Sequence, residues 1–157
     1  GMLGTPIKTS MSVVPDEPYT IPFGVANIIQ EGTDLTMVGV SWTVHQCIEA
    51  AERLQSEHNV SVEIIDPRTV VPLDRDAIFD SVKKTGKLLV ADEDYQSFGF
   101  TGEVIASVVE RDPSVLSCAP VRVANPDLNI PYSRPMELRV LPTADRIVEE
   151  SKKMLGL

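Results

Sequence analysis

The chain has 157 residues, enough for one domain with a proper core, and its 43% hydrophobic content excludes a disordered chain. Its 23 acidic residues against 14 basic ones leave a net charge of -9, which opposes phosphate binding over most of the surface and favours a basic protein partner over nucleic acid. The sequence holds no long apolar run and no basic-then-apolar leader, so it predicts no membrane span and no secretory segment.

Gly1 before Met2 reads as a residue left by tag removal, and Leu3 to Thr20, with Pro6, Pro15 and Pro18, as an extended arm. Residues 1–20 are therefore set apart from a domain over 21–157. Ile21 to Ile29 is predicted as a first strand, and Glu31-Gly32-Thr33-Asp34 as a turn that reverses the chain, giving one antiparallel strand. Leu35 to Val40 is apolar almost throughout, the pattern of a central strand covered on both faces.

Thr43 to about Glu57 is the clearest helix. Val44, Cys47, Ile48, Ala51 and Leu54 share one face, while Glu49, Glu52, Arg53 and Gln55 take the other. Cys47 thus falls on the apolar face, and with Cys118 far away in sequence both are expected as free thiols in a reducing compartment.

Val62 to Asp94 organises the rest. A β-branched strand stops at Asp66-Pro67 and the loop RTVVPL follows. A helix then opens on Asp74 as N-cap, carries Ala77, Ile78, Ser81 and Val82 inward, and closes on Gly86 after Lys83 and Lys84. Lys87 to Ala91 is the next strand, expected to be cut off by Asp92-Glu93-Asp94. Strand, helix and strand make a parallel crossover unit, whose ligand edge lies where the strands end.

Ser97 to Gly102 turns into a helix carrying Val104, Ile105, Val108 and Val109 and ending near Asp112-Pro113, with Thr101 expected as its cap. Pro120 to Ala124 is a last strand, and Asn125 to Pro135, with three prolines, is expected to be a loop. A final helix runs from about Thr143 to Met154 with Ile147, Val148, Ser151 and Leu155 inward. The result is a three-layer α/β/α domain on five strands, all but the first parallel.

Constellations that carry chemistry are sparse. His45 and His58 lie at opposite ends of one helix, neither with a partner at ligand or dyad spacing, and read as partly covered surface histidines; His45 is nearer a strand end, where ligands gather. Asp92, Glu93 and Asp94 are the densest carboxylates, but consecutive residues of a strand point to opposite sides and three in a row do not converge on one ion. A solvated or partner-facing acidic edge is the expected role. Gly99-Phe100-Thr101-Gly102 lacks the lysine of a phosphate loop and reads as a tight turn. Arg68 is placed either to bind a carboxylate or phosphate or to pair with Asp66, Asp74 or a neighbouring subunit. Trp42, the one tryptophan, is read as packing in the core or an interface. The candidate ligand crevice or interface is thus Ser41, Trp42, His45, Arg68, Asp92 and Glu93, with no catalytic, cofactor-binding or metal residue assigned.

Taken together, IDPRTVVPLD, SVKKTGKLLVADED, FGFTGEV and PYSRPMEL resemble the C-terminal domain of the beta subunit of the decarboxylating component of 2-oxo acid dehydrogenase complexes. That group takes in pyruvate, branched-chain and acetoin dehydrogenases, and the domain is of the transketolase C-terminal type. The resemblance covers roughly Ile21 to Leu155. It implies oxidative decarboxylation of a 2-oxo acid by a complete enzyme that uses thiamine diphosphate and Mg2+, bound by parts this chain does not hold. This chain alone is accordingly expected to be inactive.

The resemblance implies an architectural role: self-association of beta subunits, contact with an alpha subunit, and a surface for the basic peripheral subunit-binding domain of the lipoyl acyltransferase. The candidate acids for that docking are Asp127, Glu137, Glu149 and Glu150. Two departures stand out: Trp42 lies where relatives often carry a small residue, and Cys118 where they can carry an acid. The expected location is the cytoplasm, or the mitochondrial matrix in a eukaryote. The competing readings are a stand-alone module of the same fold that binds a small anion or metabolite, and the C-terminal domain of a transketolase or deoxyxylulose phosphate synthase.

Overall fold

A computed structural model describes residues 15–157. The predicted tag remnant and most of the arm, residues 1–14, lie outside the described residues; Pro15 to Thr20 is exposed and without regular structure. The elements follow as β1 (Asn27–Gln30), β2 (Leu35–Gly39), α1 (Trp42–His58), β3 (Val62–Asp66), α2 (Arg75–Thr85), β4 (Leu88–Tyr95), α3 (Phe100–Arg111), β5 (Val121–Asn125), α4 (Arg134–Val140) and α5 (Ala144–Leu155). One 3-10 turn, Pro113–Val115, precedes β5.

The five strands form one sheet in the order β1-β3-β2-β4-β5. β1 is antiparallel to β3, and the other pairings are parallel, with Met37 facing Ile64 on one side and Leu89 on the other. The expected three-layer architecture with a single antiparallel strand is therefore present.

Strand alternation divides the core into two halves. Leu35, Met37, Ile64, Leu89 and Val123 pack with Cys47, Ala51 and Leu54 of α1 and with Ile147 of α5. Their strand neighbours Val38, Ile65 and Val90 face the other way, against Ile78 and Val82 of α2 and Val104 and Val108 of α3. Every residue of β2 is buried, as its almost wholly apolar sequence requires of a strand covered on both faces. Among the described residues no helix is long and apolar enough to cross a membrane.

Four local expectations need correction. The first strand is only Asn27–Gln30, not Ile21 to Ile29. Gly24 takes a positive φ of 72°, its N–H donates to Thr69 Oγ1 at 3.0 Å, and the Ala26 N–H donates to Asp74 Oδ2 at 2.8 Å. Backbone donors committed to side chains of the β3–α2 loop do not join a ladder.

The acidic run Asp92-Glu93-Asp94 does not cut off β4; it lies within it. The strand runs out of the core there, so the last residues pair while their side chains meet solvent. Asn125 to Pro135 is a loop only as far as Ser133, where α4 begins; Pro135 sits in the first turn, the one part of a helix that tolerates proline.

α3 is capped by Gly99 rather than Thr101. A Cβ on Gly99 would lie 2.1 Å from the Tyr95 carbonyl oxygen, so only glycine fits that approach. Thr101 is fully buried and its hydroxyl has no partner among the described residues.

The helix ends of α2 are as expected. The Asp74 carboxylate accepts the Ala77 N–H at 3.1 Å, and Gly86 closes the helix in the left-handed conformation at φ 72°. α1 closes in the same way on Asn59, at φ 55°.

Candidate functional site

The parallel strands all point their carboxyl ends to one edge of the sheet, and the loops after β2, β3, β4 and β5 meet there. α1 is seated against that edge by Thr43. Its hydroxyl lies 2.7 Å from the Val40 carbonyl and 2.8 Å from the Ala91 carbonyl, and accepts the Val40 N–H at 2.8 Å. Gly39 makes the approach possible, since a Cβ there would sit 2.9 Å from the Val44 nitrogen.

Between the ends of β2 and β3 this packing leaves a crevice of about 640 Å³, bordered by Ser41, His45, Asp66, Arg68 and Thr69 above an apolar wall. Two rim residues hold backbone conformations that L side chains rarely adopt, Ser41 at φ 55° and Arg68 at φ 57°. The Arg68 N–H donates to Asp66 Oδ1 at 2.9 Å, but its guanidinium has no ion-pair partner among the described residues, so neither Asp66 nor Asp74 pairs with it.

The structure thus brings Ser41, His45 and Arg68 to one crevice and leaves Trp42, half-buried at the start of α1, outside its lining. Glu93 lies beside the group. Burial pushes its carboxyl up, and the nearby Ser41 hydroxyl draws it partly back. Asp92 falls on the opposite face of β4 from Glu93, as strand alternation dictates, so the two do not converge. Burial also raises the Asp92 carboxyl, against the opposing pull of the Asp94 N–H that it accepts. The Asn125 side-chain amide donates to the Glu93 carbonyl, pinning β4 to β5 where their register shifts.

The four candidate docking acids are dispersed and already engaged. Asp127 accepts from the Ser97 hydroxyl at 2.5 Å and from its N–H at 3.2 Å. Glu137 pairs with Arg134 at 3.0 Å. Only Glu149 and Glu150 share a partner, Lys153, at 2.8 Å each. His58 lies 3.8 Å from its chain neighbour Glu57, and no two histidines meet.

A larger feature escaped sequence reasoning. Val71, Phe98 and Tyr132, from the loops after β3, β4 and β5, are exposed to 88%, 109% and 106%. Val70, Leu128 and Ile130 in the same loops, and Tyr95 at the end of β4, are exposed too. Phe98 holds a left-handed backbone, φ 61°, on the border of two depressions. The VV pair and the YQSFGF and NIPY stretches were the available signal: apolar and aromatic residues in segments that prolines and glycines mark as loops.

Among the described residues no three His, Cys, Asp or Glu side chains come together to hold a metal.

The transketolase C-terminal domain profile matches residues 24–147. The beta subunit of acetoin:2,6-dichlorophenolindophenol oxidoreductase from Bacillus subtilis is 38% identical over 95% of this chain and 44% of its own. The pyruvate dehydrogenase E1 component subunit beta of the same organism is 38% identical over 90% of this chain and 43% of its own. Its mitochondrial counterpart from Saccharomyces cerevisiae is 36% identical over 88% of this chain and 38% of its own. The chain therefore spans about two fifths of the curated relatives it matches. Among solved structures, a split-gene transketolase described as an inactive beta4 tetramer superposes with a TM-score of 0.74 at 25% identity, over 88% of this chain and 45% of its own. A profile match across most of the chain, a sheet with one antiparallel strand, and that superposition together establish that this chain belongs to the transketolase C-terminal domain family.

Proposed function

We propose that this chain is the C-terminal assembly domain of the beta subunit of a thiamine-diphosphate-dependent 2-oxo acid dehydrogenase. Its work is to join beta subunits to one another and to an alpha subunit, and to dock the complex on the lipoyl acyltransferase. Oxidative decarboxylation belongs to the complete enzyme, whose other parts hold the cofactor and Mg2+.

The observation that carries this reading is the apolar end of the sheet. Three successive loops place Val71, Phe98 and Tyr132 in solvent on a chain whose interior is otherwise well filled. Soluble domains rarely expose a contiguous apolar surface of that kind without a partner. Aromatic side chains supply the buried anchors of protein interfaces. The names of the relatives, each a subunit beta, and the beta4 tetramer of the solved relative agree with a surface built for assembly. The acidic balance, -9 overall, suits a basic docking domain, with Glu149 and Glu150 on α5 as the pair that shares one lysine and is therefore incompletely neutralised.

Sedimentation velocity of the chain over a concentration series tests the assembly role, and titration with the peripheral subunit-binding domain tests docking. The expected results are reversible self-association and docking that weakens at least severalfold between roughly 50 and 300 mM salt. A chain that stays monomeric at every concentration and binds neither an alpha subunit nor the docking domain is not an assembly domain.

A further inference from the structure

Beyond assembly, we infer that the crevice between the ends of β2 and β3 is a binding site for a small monocarboxylate with an apolar tail, whose carboxylate Arg68 takes. Three observations lead there. The crevice has a volume of about 640 Å³, within the range of small-molecule sites, and its wall is made by Ile21, Ile29, Val40, Val44, Ile48 and Val70. Water gains little against such a wall, while an aliphatic chain of four to six carbons covers it.

The second observation is Arg68 itself. In a chain with 23 acids, Arg53, Arg75, Arg111 and Arg134 are paired with carboxylates, and Arg122 and Arg146 donate to backbone carbonyls. Of the arginines among the described residues, only Arg68 and Arg139 have a guanidinium without a partner, and Arg68 is the one that borders this crevice. A guanidinium takes a carboxylate in a two-pronged hydrogen bond, which makes an unpaired one at a cavity mouth a ready anion partner.

The third is the inventory of donors at the rim. The Thr69 hydroxyl already donates to the Pro72 carbonyl at 2.6 Å and accepts the Gly24 N–H at 3.0 Å, and the Ser41 hydroxyl lies beside the Glu93 carboxylate. Asp66 adds a negative charge beside the mouth. The one available cation offsets a single negative charge, and the flanking Asp66 carboxylate repels any further one, which disfavours a phosphate ester or a dicarboxylate. The apolar wall in turn disfavours acetate, which has no tail to bury. The charge selects a monoanion and the wall selects its tail.

Saturation-transfer NMR and calorimetric titration of the whole chain with 4-methylpentanoate test this. Controls are 4-methylpentanamide, which keeps the tail without the charge, acetate, which keeps the charge without the tail, and inorganic phosphate. The expected result is saturable binding of 4-methylpentanoate, with every control at least about tenfold weaker. Arg68→Gln is expected to lose about tenfold, Arg68→Lys less, and Arg139→Gln nothing, each variant first shown to melt like the parent. Absence of saturable binding up to about 10 mM overturns the site, as does equal binding of the amide, equal or tighter binding of phosphate, or an Arg68→Gln chain that binds like the parent. Val70 borders both the crevice and the apolar loops, so the titrations are run at a chain concentration where sedimentation shows one species; loss of binding there with self-association intact, or the reverse, tells the two readings apart.

Discussion

Lys84 Nζ bonds the carboxylate of Glu63, a side chain that strand β3 buries to 1% exposure, and the same ammonium reaches Glu31 at 2.9 Å. Gly32 N–H approaches the Glu63 carboxylate from the β1–β2 turn at 3.3 Å. A Cβ on Gly32 would fall 2.1 Å from the Val62 carbonyl carbon, so the turn lies directly on β3. Next to this cluster the Thr36 hydroxyl lies 2.7 Å from both Ser81 and Thr85. The contact of α2 with the sheet is thus polar at its C-terminal end and apolar elsewhere.

Removing the cation is more harmful than removing the acid. Lys84→Met leaves a carboxylate in the core with only hydroxyl and N–H donors, and is expected to cost about 2 kcal/mol, less than a fully dry pair because the lysine is partly exposed. Glu63→Gln keeps the shape and removes the charge, at about 1 kcal/mol. The double variant Glu63→Leu with Lys84→Met is expected to recover much of the loss. Urea unfolding of the three variants decides it, and a Lys84→Met chain as stable as the parent refutes the arrangement.

Two buried carboxyls make stability respond to pH with opposite signs. Burial pushes Glu63 up, but bonds from Lys84 and Ser81 outweigh it and hold the group below the usual carboxylate range. A lowered native value gives stability that is present above the unfolded value and lost as pH falls through the native one. The advantage of the parent over Glu63→Gln is therefore expected to shrink on acidification. Asp92 is raised by burial, so its charged form is a penalty at neutral pH that protonation relieves. Asp92→Asn is expected to gain on the order of 0.5–1 kcal/mol at pH 7, about 2–3 °C in Tm, and to lose that gain below the ordinary carboxylate range. Thermal melts between pH 7 and pH 3 check both signs.

The thiols differ in the same physical terms. Burial pushes the Cys47 thiol up to about 12, whereas Cys118 is only half-buried. A thiol reagent at pH 8 is expected to label Cys118 in the native chain and Cys47 only after denaturation. Fast native labelling of Cys47 contradicts the packing of α1 on the sheet.

What the sequence made legible was whatever repeats along an element. The 3.6-residue period of α1 placed Cys47, Ala51 and Leu54 in the core, and Asp74 and Gly86 marked both ends of α2. The crevice was legible in part, because strand ends are where loops gather, so Ser41, His45 and Arg68 could be grouped by their places after β2 and β3. What escaped depends on distant partners. β1 is short because Thr69 and Asp74, more than forty residues away, take its upstream N–H groups. Glu63 is a charged residue inside the strand VEIID, and only the approach of Lys84, twenty-one residues on, makes its burial tolerable. The apolar crown is assembled from three loops that no periodicity connects.

Phe98 offers the sharpest test of the assembly reading, because there fold and function pull apart. Its ring is fully exposed and its backbone sits at φ 61°, where a side chain costs on the order of 1 kcal/mol and glycine costs nothing. For the isolated fold Phe98→Gly is therefore expected to be stabilising, by about 2–4 °C in Tm. For self-association it removes an aromatic anchor at the centre of the three loops, and the dissociation constant is expected to rise at least tenfold. Within its own chain, no burial offsets the strain at Phe98. Melting and sedimentation on the same preparation separate the two effects, since ordinary surface residues move neither and core residues lower both. If Phe98→Gly melts higher and still associates like the parent, the crown is not the subunit contact, and self-association has to be sought elsewhere, such as the free edge of β1 with its exposed Ile28 and Ile29.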